Sequence, residues 1–388
     1  MLDESLLDDP DALTRADTAG LLRSVAEAGA RVRSALRQAD DAGVFALRPD
    51  GRPRAVLVAG AGPVTGCVAD LLAAFGKGAV PATLLRPTGQ LAAPGALRWT
   101  LPGWAGAMDL LLIISSTGDE PGLDALVDQA YRRGCTVVAV VPERAEITQV
   151  IGQVRGLVVP LAAAPFEPRP AASAVTEPEQ QAPLVSPGTL WTLLAPLLAL
   201  TDRLGLLPAS RTDLEAMADR LDQVAERCGP AVAVYDNPGK LLATELAGTV
   251  PLLWSEGPVA GAAARHGATT LAALPGRPAL AAELPEALTA HGALLAGPFA
   301  SGGDSDDFFR DRVEDPEPLH TRVVLLREHA PDGDSAAVAA RDLAYANDTP
   351  LSELEPAEGS GPLETAAQLI ATADFAAVYL TLADGDTR

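Results

Sequence analysis

Lysine is nearly absent from this chain of 388 residues: Lys77 and Lys240 are the only two, while arginine, alanine, glycine and proline abound. That bias reads as the signature of a GC-rich genome, so alanine abundance carries no functional weight. Positive charge is short altogether, with 29 Lys and Arg against 51 Asp and Glu and a net charge of −22. The excess is spread along the chain. Such a field repels phosphate backbones and anionic lipid, which argues against nucleic acid and membrane surfaces as partners. An anionic ligand then requires a local positive site. Cysteine is scarce too: Cys67, Cys135 and Cys228 lie far apart, without metal-ligand spacing. Cys67 and Cys135 fall in apolar runs and are expected in the core. The acidic start, Met1-Leu-Asp-Glu-Ser5, has no basic stretch leading into an apolar one, so no signal peptide is expected. The longest apolar run, Leu190 to Leu200, contains Pro196 and is too short to span a bilayer. The expected location is cytoplasmic.

Apolar residues make up 48% and charged residues 21% of the chain, the composition of a globular protein, and the length favours two domains. Asp17 to Gln38 has helical spacing, with Asp17 and Thr18 as caps. Five uninterrupted apolar strands then alternate with helical gaps: Ala55–Ala59, Val80–Leu85, Asp109–Ile114, Thr136–Val141 and Gly156–Val159. Strands buried on both faces read this way, and the gaps imply a parallel sheet. The expectation is α/β, with two flavodoxin-like doubly wound parallel-sheet lobes in tandem. The expected boundaries are a helical segment over 1–40, a first lobe over 41–165, a linker and apolar helix over 166–210, and a second lobe over 211–388. Within the second lobe, strands are expected at Ala231–Tyr235, Val250–Trp254, Gly292–Leu295, Thr321–Leu326 and Leu351–Leu354. Helices are expected over Arg211–Cys228, Gly239–Gly248, Pro258–Leu274 and Leu363–Leu382, and an exposed acidic loop over Ser301–Pro318.

The sharpest local motif is Gly60-Ala-Gly-Pro-Val-Thr-Gly66, between the first strand and a helix. Glycines let the backbone approach an anion, and a helix start offers it free N–H groups. A tight turn that only packs is the plainer alternative. A dinucleotide site would need an acid at the end of the second strand to hold the ribose. Leu85-Arg86-Pro87 supplies an arginine instead, so an NADP-type reading stays open as an alternative. The second motif is Ser115-Ser-Thr-Gly-Asp-Glu120, at the carboxyl end of the third strand, where ligands of open parallel sheets bind. Its hydroxyls and backbone N–H groups suit phosphate oxygens; alone, they would be read as ordinary helix capping.

Together these motifs resemble the sugar isomerase (SIS) domain, and the plan of the whole chain resembles the bifunctional phosphoglucose/phosphomannose isomerases. Val58-Ala-Gly-Ala-Gly62 is similar to their glycine loop and Ile114-Ser-Ser-Thr-Gly-Asp-Glu120 to their serine-rich phosphate turn. Gly239 to Pro251 and Phe375 to Asp384 are similar to the opening and closing segments of their second lobe. The resemblance implies a small phosphorylated sugar as ligand, no cofactor, and a homodimer. It places Gly60, Gly62, Ser115 and Thr117 at the sugar phosphate, with Arg144 adding positive charge. Glu120 stands where the family carries a hydroxyl residue. The family's catalytic glutamate position falls on Ala273, which cannot carry a proton, and its histidine position falls near Thr289. His291 is then the candidate acid–base residue, in an expected setting of a solvated histidine before a strand. Neither lysine lies near the C-terminus, where the family keeps one. The implied function is a phosphosugar-binding protein with a degenerate catalytic set; an active glucose-6-phosphate or mannose-6-phosphate isomerase is the alternative.

Overall fold

The computed structural model describes residues 2–49, 51–89, 96–161, 186–296, 320–329 and 335–384. These form two compact units, Arg23–Asp222 and Met1–Leu22 with Gln223–Arg388. The N-terminal helices α1 (Glu4–Leu7) and α2 (Pro10–Ala16) belong to the second of these. Leu2 bridges to Asp384, and the Asp3 N–H donates to the Ala383 carbonyl at 2.9 Å. Asp17 receives the N–H groups of Leu21 and Leu22 at 2.6 and 2.9 Å, as a capping acid should. The single helix expected over Asp17–Gln38 is two, α3 (Leu21–Ala26) and α4 (Ala28–Asp41).

In the first lobe, β1 (Ala55–Ala59), α5 (Pro63–Gly76), β2 (Ala82–Leu85), β3 (Asp109–Ile114), α6 (Pro121–Arg133), β4 (Thr136–Val141), α7 (Ile147–Gln153) and β5 (Leu157–Pro160) follow in order. All strand pairs are parallel and the sheet runs β2-β1-β3-β4-β5, the flavodoxin-like order. Every residue of β1 and β3 is buried, which explains their unbroken apolar sequence. The apolar stretch at 190–200 lies in α8 (Thr189–Arg203), buried from Leu190 to Thr201 and packed against α4 and α5. Residues 162–185, which include the first part of the linker expected from 166, lie outside the described residues.

The helix α9 (Arg211–Arg227) leads to the second lobe. There α10 (Pro238–Leu246), β6 (Val250–Glu256), α11 (Pro258–Ala273), β7 (Leu280–Glu283), α12 (Glu286–Leu295), β8 (Thr321–Arg327), α13 (Ala337–Ala346), β9 (Leu351–Leu354) and α14 (Pro362–Ala383) build a parallel sheet of order β7-β6-β8-β9. This matches the first four strands of the first lobe. The chain is therefore two flavodoxin-like doubly wound lobes in tandem. A short repeat marks the equivalence: Gly62-Pro-Val64 follows β1 and Gly257-Pro-Val259 follows β6, each with Pro at the helix start. The helix α14 is long and apolar enough to cross a membrane, yet most of it is buried against α10 and α11 inside the lobe.

Several expectations fail here. Ala231–Tyr235 is no strand: a turn leads into a 3-10 helix over Val234–Asp236. The Pro230 and Val232 carbonyls bind the Lys240 ammonium at 2.7 and 2.8 Å instead of a neighbouring strand. Gly292–Leu295 is the last turn of α12, whose buried residues Ala287, His291 and Leu295 recur every fourth position. The edge strand β7 and helix α13 were not expected, since the short alanine-rich stretches that form them fit no single element type. The loop expected over Ser301–Pro318 lies outside the described residues.

Candidate functional site

The register of β1 on β3 brings the two sequence motifs side by side at the carboxyl ends of their strands. This is where the strand order reverses direction, the usual crevice of a doubly wound sheet. Gly60 is buried, and a Cβ there would run into the Ile114 carbonyl and crowd Thr65 Oγ1 at 2.8 Å. Its side-chain-free backbone thus serves strand-to-strand approach. Gly62 is different. It is exposed at φ +81° with open space where a Cβ would go, and it caps α5 without a side-chain hydrogen bond. The open helix start thus begins at Gly62.

The 115–120 turn is organised by Ser115, which is buried. Its Oγ accepts the N–H groups of Thr117 at 3.2 Å and Gly118 at 2.7 Å. It donates its proton to Glu120, whose two carboxylate oxygens lie at 2.8 and 3.1 Å. Glu120 is itself buried, and desolvation raises its pKa above the ordinary glutamate value despite the serine bond. The carboxylate does not cap α6. The exposed hydroxyls at the crevice are Ser116 and Thr117, the latter bonded to Asp119. Ser116 was not singled out from the sequence; its exposure beside Thr117 follows from the course of the turn after buried Ser115. Arg144 follows β4 and is exposed beside Ala145, on which Gly118 packs closely. Acids crowd this region as well: desolvation and the charges of Glu146 and Asp128 raise the pKa of Asp124. Arg86 is exposed just beyond β2.

The Ala273 position and the candidate His291 lie in the second lobe, among other titratable side chains. Ala273 is exposed at the end of α11. His291, expected in solvent before a strand, is buried on α12, because its ring completes the core around Trp254. Trp254 Nε1 donates to His291 Nδ1 at 2.8 Å, so the neutral ring carries its proton on Nε2; burial lowers its pKa. His266 is buried against Asp374 at 2.8 Å, bridging α11 and α14. Glu283 pairs with Arg265, and Glu245 accepts from Ser352 at 2.6 Å. Lys240 is buried among carbonyls, and desolvation lowers its pKa. His291, His266 and Lys240 are thus committed to internal structure, while the Glu283–Arg265 pair lies at the surface. Among the described residues no cluster of His, Cys, Asp and Glu is arranged to hold a metal ion.

Comparisons with known proteins agree with this architecture. Residues 235–386 match the model of the bacterial phospho-glucose isomerase C-terminal SIS domain. No curated protein sequence matches the chain. Among solved structures, a candidate phosphosugar isomerase from Silicibacter pomeroyi DSS-3 superposes with TM-score 0.59 at 16% identity, covering 92% of this chain and 96% of that one. A second candidate phosphosugar isomerase, from Clostridium difficile 630, gives 0.58 at 12% identity, covering 93% and 92%. The C-terminal domain of glucosamine-fructose-6-phosphate aminotransferase from Francisella tularensis gives 0.56 at 10% identity, covering 95% and 97%. At these identities the structural likeness is one of fold.

Proposed function

Taking the chain as a SIS-domain protein that resembles the bifunctional phosphoglucose/phosphomannose isomerases, we propose that it binds a phosphosugar in its first lobe without isomerising it. The observation that carries this reading is the junction of the exposed Gly62 helix start with the Ser116–Thr117 turn at the β1/β3 crevice. The phosphate sits over the α5 N-terminus, where N–H groups and the helix dipole favour negative charge. The Ser116 hydroxyl bonds its oxygens, the Thr117 hydroxyl joins once it turns from Asp119, and Arg144 supplies the cation that the overall charge of −22 makes necessary. Ser115 acts through the turn: its hydroxyl positions the Thr117 and Gly118 N–H groups. Gly60 acts by letting β1 and β3 meet.

Aldose–ketose isomerisation moves a proton between two carbons and needs a base. The family's glutamate position is Ala273, and His291 has its lone pair tied to Trp254. That supports a sensor or partner subunit, working as a cytoplasmic homodimer without a cofactor. Light scattering of the purified protein should give the dimer mass. The site is tested by Thr117→Glu, an exposed change that leaves the fold intact. Calorimetric titration with glucose-6-phosphate should show saturable binding in the wild type and at least tenfold weaker binding in the variant. Equal affinity in both would place the ligand elsewhere.

A further inference from the structure

The second lobe repeats the geometry of the first lobe's helix start but fills it. Gly257 caps α11 at φ +99°, ψ 156°, against +81°, 170° for Gly62, and Pro258 and Val259 follow as Pro63 and Val64 do. Glu328, one residue beyond β8, reaches across and accepts the N–H groups of Val259 and of Ala260, the latter at 3.1 Å. A Cβ on Gly257 would collide with this carboxylate, so the seat has room for the Glu328 side chain only because position 257 lacks one. The exchange is reciprocal. Glu256, at the end of β6, accepts from Ser335 Oγ at 2.8 and 3.0 Å and from the Ala336 N–H at 2.7 Å, at the start of α13.

Behind them, buried Arg327 binds Glu353 at 2.9 Å and also Glu355, while Arg341 grips Glu353 through two bonds of 2.6 and 2.8 Å. Four carboxylates thus face two guanidinium groups at the carboxyl ends of β6, β8 and β9. The helix starts are saturated by anions of the chain itself, and the remaining field is negative.

We infer that Glu328 is a built-in anion that closes the second lobe to phosphate. A phosphate approaching α11 must displace a tethered carboxylate from two N–H groups, against the like charge of Glu256. The tether gives Glu328 an effective concentration that a free ligand does not match. The inference is independent of the first-lobe reading, since it rests on residues of the second lobe alone.

The test is an amide-resolved NMR titration of the full-length protein with inorganic phosphate. In the wild type, the Val259 and Ala260 amides should not shift. In Glu328→Ala they should shift saturably, and in Glu328→Gln, which retains an amide oxygen of the same size, the response should be intermediate. A shift at Val259 and Ala260 in the wild type would overturn the inference, and so would their silence in a folded Glu328→Ala. If that variant does not fold, silence in Glu328→Gln overturns it equally. Silence at Val64 and Thr65 would count against the first-lobe reading and leave this inference standing.

Discussion

Replacing Glu120 with glutamine changes one charge at the heart of the first-lobe turn and almost nothing else. The glutamine carbonyl can still accept the Ser115 hydroxyl, so the hub that orders Thr117 and Gly118 is kept. What is lost is a buried negative charge beside the proposed phosphate. A unit charge about 7 Å away at an effective dielectric of about 20–40 opposes another by about 1–2 kcal/mol. Glu120→Gln should therefore tighten glucose-6-phosphate binding by about 5- to 30-fold at pH 8, read by isothermal calorimetry.

The pH dependence has a defined sign. Desolvation raises the Glu120 pKa in the folded state, so the folded protein holds a proton that the unfolded chain releases first. Its contribution to stability is complete below the ordinary glutamate pKa and declines as pH rises through the folded value. Wild-type binding should likewise weaken over that interval, and Glu120→Gln should lack this component. An affinity unchanged by Glu120→Gln would refute the placement of the phosphate at this turn.

Two further outcomes follow from the packing. Gly60→Ala should destabilise the first lobe by about 1–3 kcal/mol, because its Cβ meets the Ile114 carbonyl; a thermal melt equal to that of the wild type would contradict the contact. His291→Leu leaves the buried Trp254 N–H without its acceptor and should cost about 1–3 kcal/mol in a urea melt. Its phosphosugar affinity should stay at the wild-type value, and a selective loss of binding with stability intact would make His291 a ligand residue.

Much of the fold was legible because buried parallel strands have no polar face. The runs at Ala55–Ala59, Asp109–Ile114 and Thr136–Val141 read as buried strands between helical gaps, and the structure places them in one parallel sheet. The second lobe was harder. The strand β7 is a half-exposed edge, and the four apolar residues at Gly292–Leu295 fit a strand as well as the end of a helix. Ala231–Tyr235 has good strand composition, but the carbonyls around it were already claimed by Lys240, a contact ten residues away that no local pattern reveals.

The candidate site divides along the same line. That Gly62 opens a helix start was readable from its place between an apolar run and Pro63. That Ser115 points inward to a buried Glu120, while Ser116 and Thr117 face out, depends on the turn's three-dimensional course. The carboxylate seats of Glu256 and Glu328 are not legible in the sequence, because each depends on a helix start far along the chain, 80 and 69 residues away respectively.

Binding without isomerisation can be checked on one sample. Glucose-6-phosphate at a concentration saturating by calorimetry would be incubated with the protein in deuterium oxide and followed by proton NMR. The expected outcome is a saturable heat signal, no fructose-6-phosphate, and no exchange of the proton on sugar carbon 2. Appearance of the ketose or loss of that proton signal would show a working base and contradict it, as would the absence of any saturable binding.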